Sequence, residues 1–99
     1  MSVTYEQARE IIRNHFQPGW KHGTFCLDDR NIVENDDFYV FEVGAREFLV
    51  DGDGSYEAIG GVSVVYKKDG SIGSLPSVAV AMDDSIRRKA NPNPTITLS

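Results

Sequence analysis

Six consecutive residues, Phe38-Tyr39-Val40-Phe41-Glu42-Val43, constrain this chain more than any others. Aromatic and β-branched side chains favour extended backbone, and successive side chains of a strand point to opposite faces. Apart from Glu42, both alternating sets here are apolar. Such a strand belongs in the interior of a sheet, with a helix on one face and some cover on the other. The helix is written at the start of the chain. Thr4-Tyr5-Glu6-Gln7 is a capping-box pattern, and Val3 and Ala8 sit where a hydrophobic staple would close the entry. Tyr5, Ala8, Ile12 and Phe16 recur at helical spacing, Ile11 and His15 widen the stripe, and Pro18-Gly19 ends the helix near Phe16.

The remainder reads mostly as strands. Thr24–Leu27 and Asn31–Glu34 are short β-prone pieces, readable as one interrupted strand, and Asn35-Asp36-Asp37 is a turn. Beyond Gly44-Ala45, Arg46–Val50 is expected to be a further strand and Asp51–Gly54 a loop. Val62–Lys67 and Ile72–Leu75 flank a Lys68-Asp69-Gly70-Ser71 hairpin turn, and Pro76 limits the pairing. Val78–Met82 fits either a strand or a helix start. In Asp83–Lys89 acids come early and bases late, the order the helix dipole favours. Asn91-Pro92-Asn93-Pro94 ends any helix. The expected organisation is one domain over residues 1–90 and a flexible tail over 91–99. The class is α+β: an N-terminal helix packed on an antiparallel sheet of about four to five strands, with the C-terminal element left open.

Composition narrows the function classes. With 99 residues, 40% apolar and 25% charged, the chain can bury one core. No ten apolar residues run together, so no membrane span is expected, and the first residues lack a secretory signal, making the cytoplasm the expected location. A net charge of −5 argues against a nucleic-acid partner. The charge is concentrated: residues 26–57 carry ten carboxylates against Arg30 and Arg46, a net −8, while residues 1–25 carry +1 and 58–99 carry +2. Such a block either steers a basic partner or forms the solvated turns and outer face of a sheet.

Sites of chemistry are weakly written. Asp51-Gly-Asp53-Gly-Ser55 opens like a calcium loop, but Tyr56 and Val62 stand where that loop needs its Gly and its Glu. Cys26, alone between Phe25 and Leu27, reads as a buried thiol rather than a nucleophile served by His15 or His22, and these three fall short of a structural zinc set. Asp28/Asp29 and Asp36/Asp37 are sequence neighbours, not carboxyls converging from separate elements on a cleft. No catalytic residue, metal or cofactor is expected. Trp20, in a Pro-Gly-Trp-Lys-His linker, either folds back on the core or anchors a partner.

Three stretches together resemble the YrhB-like family of bacterial polymorphic toxin systems, also called immunity protein 35. They are Val3–Ala8, Phe38–Glu42 running into Arg46–Asp53, and Gly61–Ile72, within residues 3–76. The resemblance implies a small cytoplasmic α+β domain that neutralises a cognate toxin, and it brings no catalytic residues. One member resembles a heat-stable chaperone, so a holdase-like chaperone is the alternative. The chain departs from the family pattern after Pro76, where a leucine- and tyrosine-containing helix usually follows. On the immunity reading, the acidic segment faces a basic toxin. The expected partner-binding residues are Asp28, Asp29, Asp36, Asp37, Asp51 and Asp53, with Trp20 as aromatic anchor.

Overall fold

A computed structural model describes residues 2–56 and 62–96. The protein is α+β: a helix, α1 (Tyr5–Phe16), lies against a five-stranded antiparallel sheet. The strands are β1 (Phe25–Glu34), β2 (Phe38–Ala45), β3 (Val62–Tyr66), β4 (Ile72–Leu75) and β5 (Arg87–Ala90), in the spatial order β4-β3-β2-β1-β5. Helix α1 starts at a closed capping box: Gln7 N–H donates to Thr4 Oγ1 at 3.2 Å, and Thr4 N–H donates to Gln7 Oε1 at 2.9 Å. Such a cap is worth about 1 kcal/mol.

β2 is central and buried on both faces. On one side Tyr39 and Phe41 join Leu27, Ile32 and Val65 against Tyr5, Ala8 and Ile12 of α1. The Tyr5 ring stacks on Phe41 at 5.3 Å and meets Tyr39 edge-on at 5.6 Å. On the other side Phe38 and Val40 join Val33 and Val64. The second cover is the connection from β4 to β5, which crosses the sheet from edge to edge and packs Val80 and Ile86 on that cluster. This connection holds a short helix, α3 (Ser77–Ala81), so Val78–Met82 starts as helix.

Three local expectations resolve in instructive ways. Phe25–Leu27 of the first expected piece and Asn31–Glu34 belong to the single, irregular β1, which starts one residue after Thr24 and pairs Asp28 with Glu42 but Val33 with Val40. Between those pairs β1 advances five residues and β2 two, a difference of three. An odd shift exchanges the two faces of a strand, so Leu27 and Ile32, five apart, both meet α1. Arg46–Val50 is not a strand: Arg46–Leu49 forms a helical turn, α2. Arg46 N–H donates to Thr24 O at 2.8 Å, and Glu47 accepts from the Thr24 amide and hydroxyl, each at 2.9 Å. These long-range anchors, with residues that favour helix, win over the β-prone Phe48 and Val50. Asp83–Lys89 is not helical either. Asp83 Oδ1 accepts from Ser85 N–H and O–H, turning the chain, and Arg87–Ala90 then pairs with the outer edge of β1. Ladder bonds on an otherwise open strand outweigh a favourable charge order along a short helix.

Residues 91–96, where the tail was expected to begin, run back over β1. Asn91 N–H donates to Arg30 O at 3.0 Å, and its side-chain amide donates to Asp29 O at 2.7 Å. The fully buried Asp29 carboxylate accepts from Thr95 N–H at 2.7 Å, Thr95 O–H at 2.6 Å, Ile96 N–H at 3.0 Å and Arg9 Nη1 at 3.1 Å. Arg13 Nη2 also donates to Thr95 Oγ1, at 2.9 Å. Residues 97–99 of the expected tail lie outside the described residues.

Burial pushes the Asp29 carboxyl up, but the Thr95 and Ile96 donors and the Arg9 charge together hold it below the usual carboxylate range. The folded state therefore binds this proton less readily than the unfolded chain. The resulting stabilisation is complete above the unfolded value of about 3.9 and is lost as pH falls through the lower folded value. Asp29→Ala strands Arg9 and two amides and should cost about 3 kcal/mol in urea unfolding at pH 7. Repeated at pH 2.5, the difference between wild type and variant should shrink. A cost under about 0.5 kcal/mol, the range of ordinary surface changes, contradicts the role given to this carboxylate.

Candidate partner-binding surface

The residues expected to meet a partner fall into separate places. Asp29 is inside, with its acceptors used by the chain itself. Asp28, next to it, points to the face opposite α1, where Arg30 grips it through Nε at 2.9 Å and Nη2 at 2.6 Å. That bidentate bond, outweighing the upward push of burial, holds the Asp28 carboxyl below its ordinary value. Asp36 and Asp37 form the β1–β2 turn and are exposed. Asn35, buried behind them, builds that turn: its Oδ1 accepts from Asp37 N–H at 2.8 Å and Phe38 N–H at 2.9 Å, and its Nδ2 donates to Ser85. Asp36 pairs with Arg87 at 3.2 Å, but its side chain is 92% exposed, so water screens most of that attraction.

Asp51 and Asp53 are exposed in the loop after α2, beyond the other end of β2. Asp53 Oδ1 accepts from Ser55 O–H at 2.7 Å and N–H at 3.0 Å, and these bonds lower its carboxyl. The two exposed aspartate pairs are thus separated by the eight residues of β2, roughly 25 Å of strand. Trp20 lies on the α1 side, edge-on to Phe25 at 5.5 Å with its indole N–H on His22 O at 2.8 Å. It forms a wall of an open groove with His15, Phe16, Val43 and Ile72. The structure brings none of the exposed aspartates to it.

Opposite α1 there is a cleft of about 240 Å³ between the sheet and α3. Val33, Val40, Val62 and Val80 give it an apolar lining, and Asp28, Glu42 and Arg88 supply its charges. Asp28 and Glu42 are cross-strand partners, and Arg88 stands beside Val33 in the β5 ladder. Next to Val80, α3 turns Val78 and Met82 outward, 71% and 78% exposed. Being four residues apart on one helical turn, they share a face. Glu42 was legible as the one charge in the aromatic strand, on the face opposite Phe41. Val78, Met82 and Arg88 were not, because the elements carrying them had no clear periodicity.

Carboxylates, one guanidinium and two apolar side chains in water suit contact with another surface. Cys26 is buried, and burial pushes its thiol up while Arg46 pulls the other way. His22 Nε2 is 2.8 Å from Tyr56 O. Among the described residues no three His, Cys, Asp or Glu side chains gather as a metal-holding group, and no helix is long and apolar enough to cross a membrane.

The two sides of α3 should differ in their energetic weight. Val78→Ser with Met82→Ser should change stability by under about 0.5 kcal/mol, while Val80→Ala should cost about 1 kcal/mol, both by urea unfolding. Equal costs would mean that α3 is turned otherwise. Comparison of the chain with models of protein families, with curated proteins and with solved structures returns no match.

Proposed function

We propose that the protein is a binding protein of the immunity class, which neutralises a cognate bacterial toxin in the cytoplasm by covering its active or functional surface. One observation carries the reading: on the sheet face opposite α1 the exposed Glu42 lines a partly apolar cleft next to the exposed side chains of α3, and the exposed turn aspartates lie at the two ends of β2. Asp36, Asp37, Glu42, Asp51 and Asp53 are exposed, and Val78 and Met82 adjoin the cleft that Glu42 lines. A small apolar centre within a charged rim is the anatomy of a specific protein interface. The negative field favours a basic partner and acts mainly on the association rate. The resemblance of residues 3–76 to the YrhB-like immunity family supports the same conclusion, and its catalytically silent character fits a role in masking.

The alternative, a holdase-like chaperone, draws on the same Val78 and Met82. Among the described residues, two large exposed apolar side chains on one turn make a patch smaller than the several hundred Å² that marks a broad apolar interaction surface. The immunity reading is therefore preferred.

Capture from the native lysate with tagged protein, at low and at high salt, should yield one stoichiometric partner that weakens in salt, and co-expression should relieve that partner's toxicity. Charge reversal at Asp36/Asp37 or at Asp51/Asp53 should slow association with it about tenfold and flatten the salt dependence. Many substoichiometric clients that persist in salt, or association untouched by both reversals, would count against the proposal.

A further inference from the structure

The two edges of the sheet are treated differently by the sequence. An edge strand exposes unpaired backbone groups, and proteins commonly blunt that edge with charge. β5 does so with Arg87, Arg88 and Lys89, all exposed. β4, Ile72-Gly73-Ser74-Leu75, carries no charge at all. Its outward backbone follows from the ladder. Tyr66 N–H donates to Ser71 O at 2.9 Å, and the register continues through Val65↔Ile72, Val64↔Gly73 and Ser63↔Ser74. Bonding alternates along an antiparallel pair, so Gly73 and Leu75 bond to β3 while the N–H and C=O of Ile72 and Ser74 face an edge on which no strand pairs among the described residues. The chain leaves β4 at Pro76 and crosses the sheet face toward β5, away from that edge.

We infer that β4 is a self-association edge, pairing antiparallel with β4 of a second copy of this chain about a twofold axis at Gly73. This register is self-complementary: Ile72 faces the partner's Ser74 and Ser74 faces the partner's Ile72. The four outward N–H and C=O pairs then close four hydrogen bonds, and two five-stranded sheets become one of ten strands. Gly73 is where the axis needs little bulk. A Cβ there would come within 2.9 Å of Tyr66 Cε2, because the half-buried Tyr66 ring lies over Gly73 on the face opposite α1. The twofold sets this ring beside its symmetry mate, giving the contact an apolar centre. On the α1 face the partner's Ile72 meets Ser74 at the rim of the groove lined by Ile72 and Phe16. Each chain carries −5, yet β4 brings no like charges together at the contact. The same groups on β5 would set arginines and lysines face to face.

The test is the mass in solution of the full chain, by light scattering after size exclusion at about 100 µM, a concentration suited to a small interface. The wild type should give twice the 11.0 kDa of one chain. Ser74→Pro removes an outward donor that β3 does not use, and Ser74→Lys places a charge on the edge without altering the backbone. Both variants should give the single-chain mass, and Ser74→Lys should keep the wild-type melting curve at a dilution where the wild type is also a single chain. A wild type of single-chain mass overturns the inference, and so does a dimer that survives Ser74→Lys.

Discussion

A single carboxylate with no exposure to water ties together the parts of this fold that are most distant in sequence. Asp29 sits where β1 departs from regular pairing, receives Arg9 from α1, and holds the amides of Thr95 and Ile96. The burial of its charge is tolerable only because several donors converge on it, and those donors come from both ends of the chain. The consequences spread outward. With residues 91–96 laid over β1, Arg87–Ala90 is held beside its outer edge, and Arg88 reaches the cleft. The irregularity that accommodates Asp29 also changes the parity of β1. Ile32 is thereby delivered to α1 and Val33 to the opposite face.

The other governing constraint is β2, whose apolar side chains on both faces demand two covers. Helix α1 is one. The connection carrying α3 is the other, and because it only partly fills the space above Val33 and Val40, a cleft remains. Burial and display are thus divided within the acidic segment. Asp28 and Asp29 are consumed by Arg30 and by the tail, while Asp36, Asp37, Glu42, Asp51 and Asp53 remain in water. A charge block that looks uniform along the sequence has a structural half and a displayed half.

Much of the fold was legible because its signals are local. The capping box and stripe of α1, the Asn35-Asp36-Asp37 turn and the Asp-Gly hairpin each depend on residues within a few positions of one another. What was not legible depends on distant partners. Arg46–Leu49 forms a helical turn because Thr24 anchors Arg46 and Glu47, and nothing near residue 46 announces that. Arg87–Ala90 is a strand because β1 has a free edge. The candidate surface followed the same rule. Exposed turn aspartates were found from composition and turn chemistry, and Glu42 was recoverable from alternation. Asp29 could not be told from its neighbour Asp28 without knowing that Thr95 returns to it, and Val78 and Met82 needed the packing of α3 to show which way they face.

The Asp29 tie requires residues 91–96 to be part of the folded unit, and native-state amide hydrogen exchange at Thr95 and Ile96 measures this directly. Their N–H groups are bonded to a carboxylate that no water reaches, so they should exchange slowly, with protection comparable to that of Ala8 in α1. Exchange of Thr95 and Ile96 at the rate of an unstructured peptide, with Ala8 still protected, would contradict it.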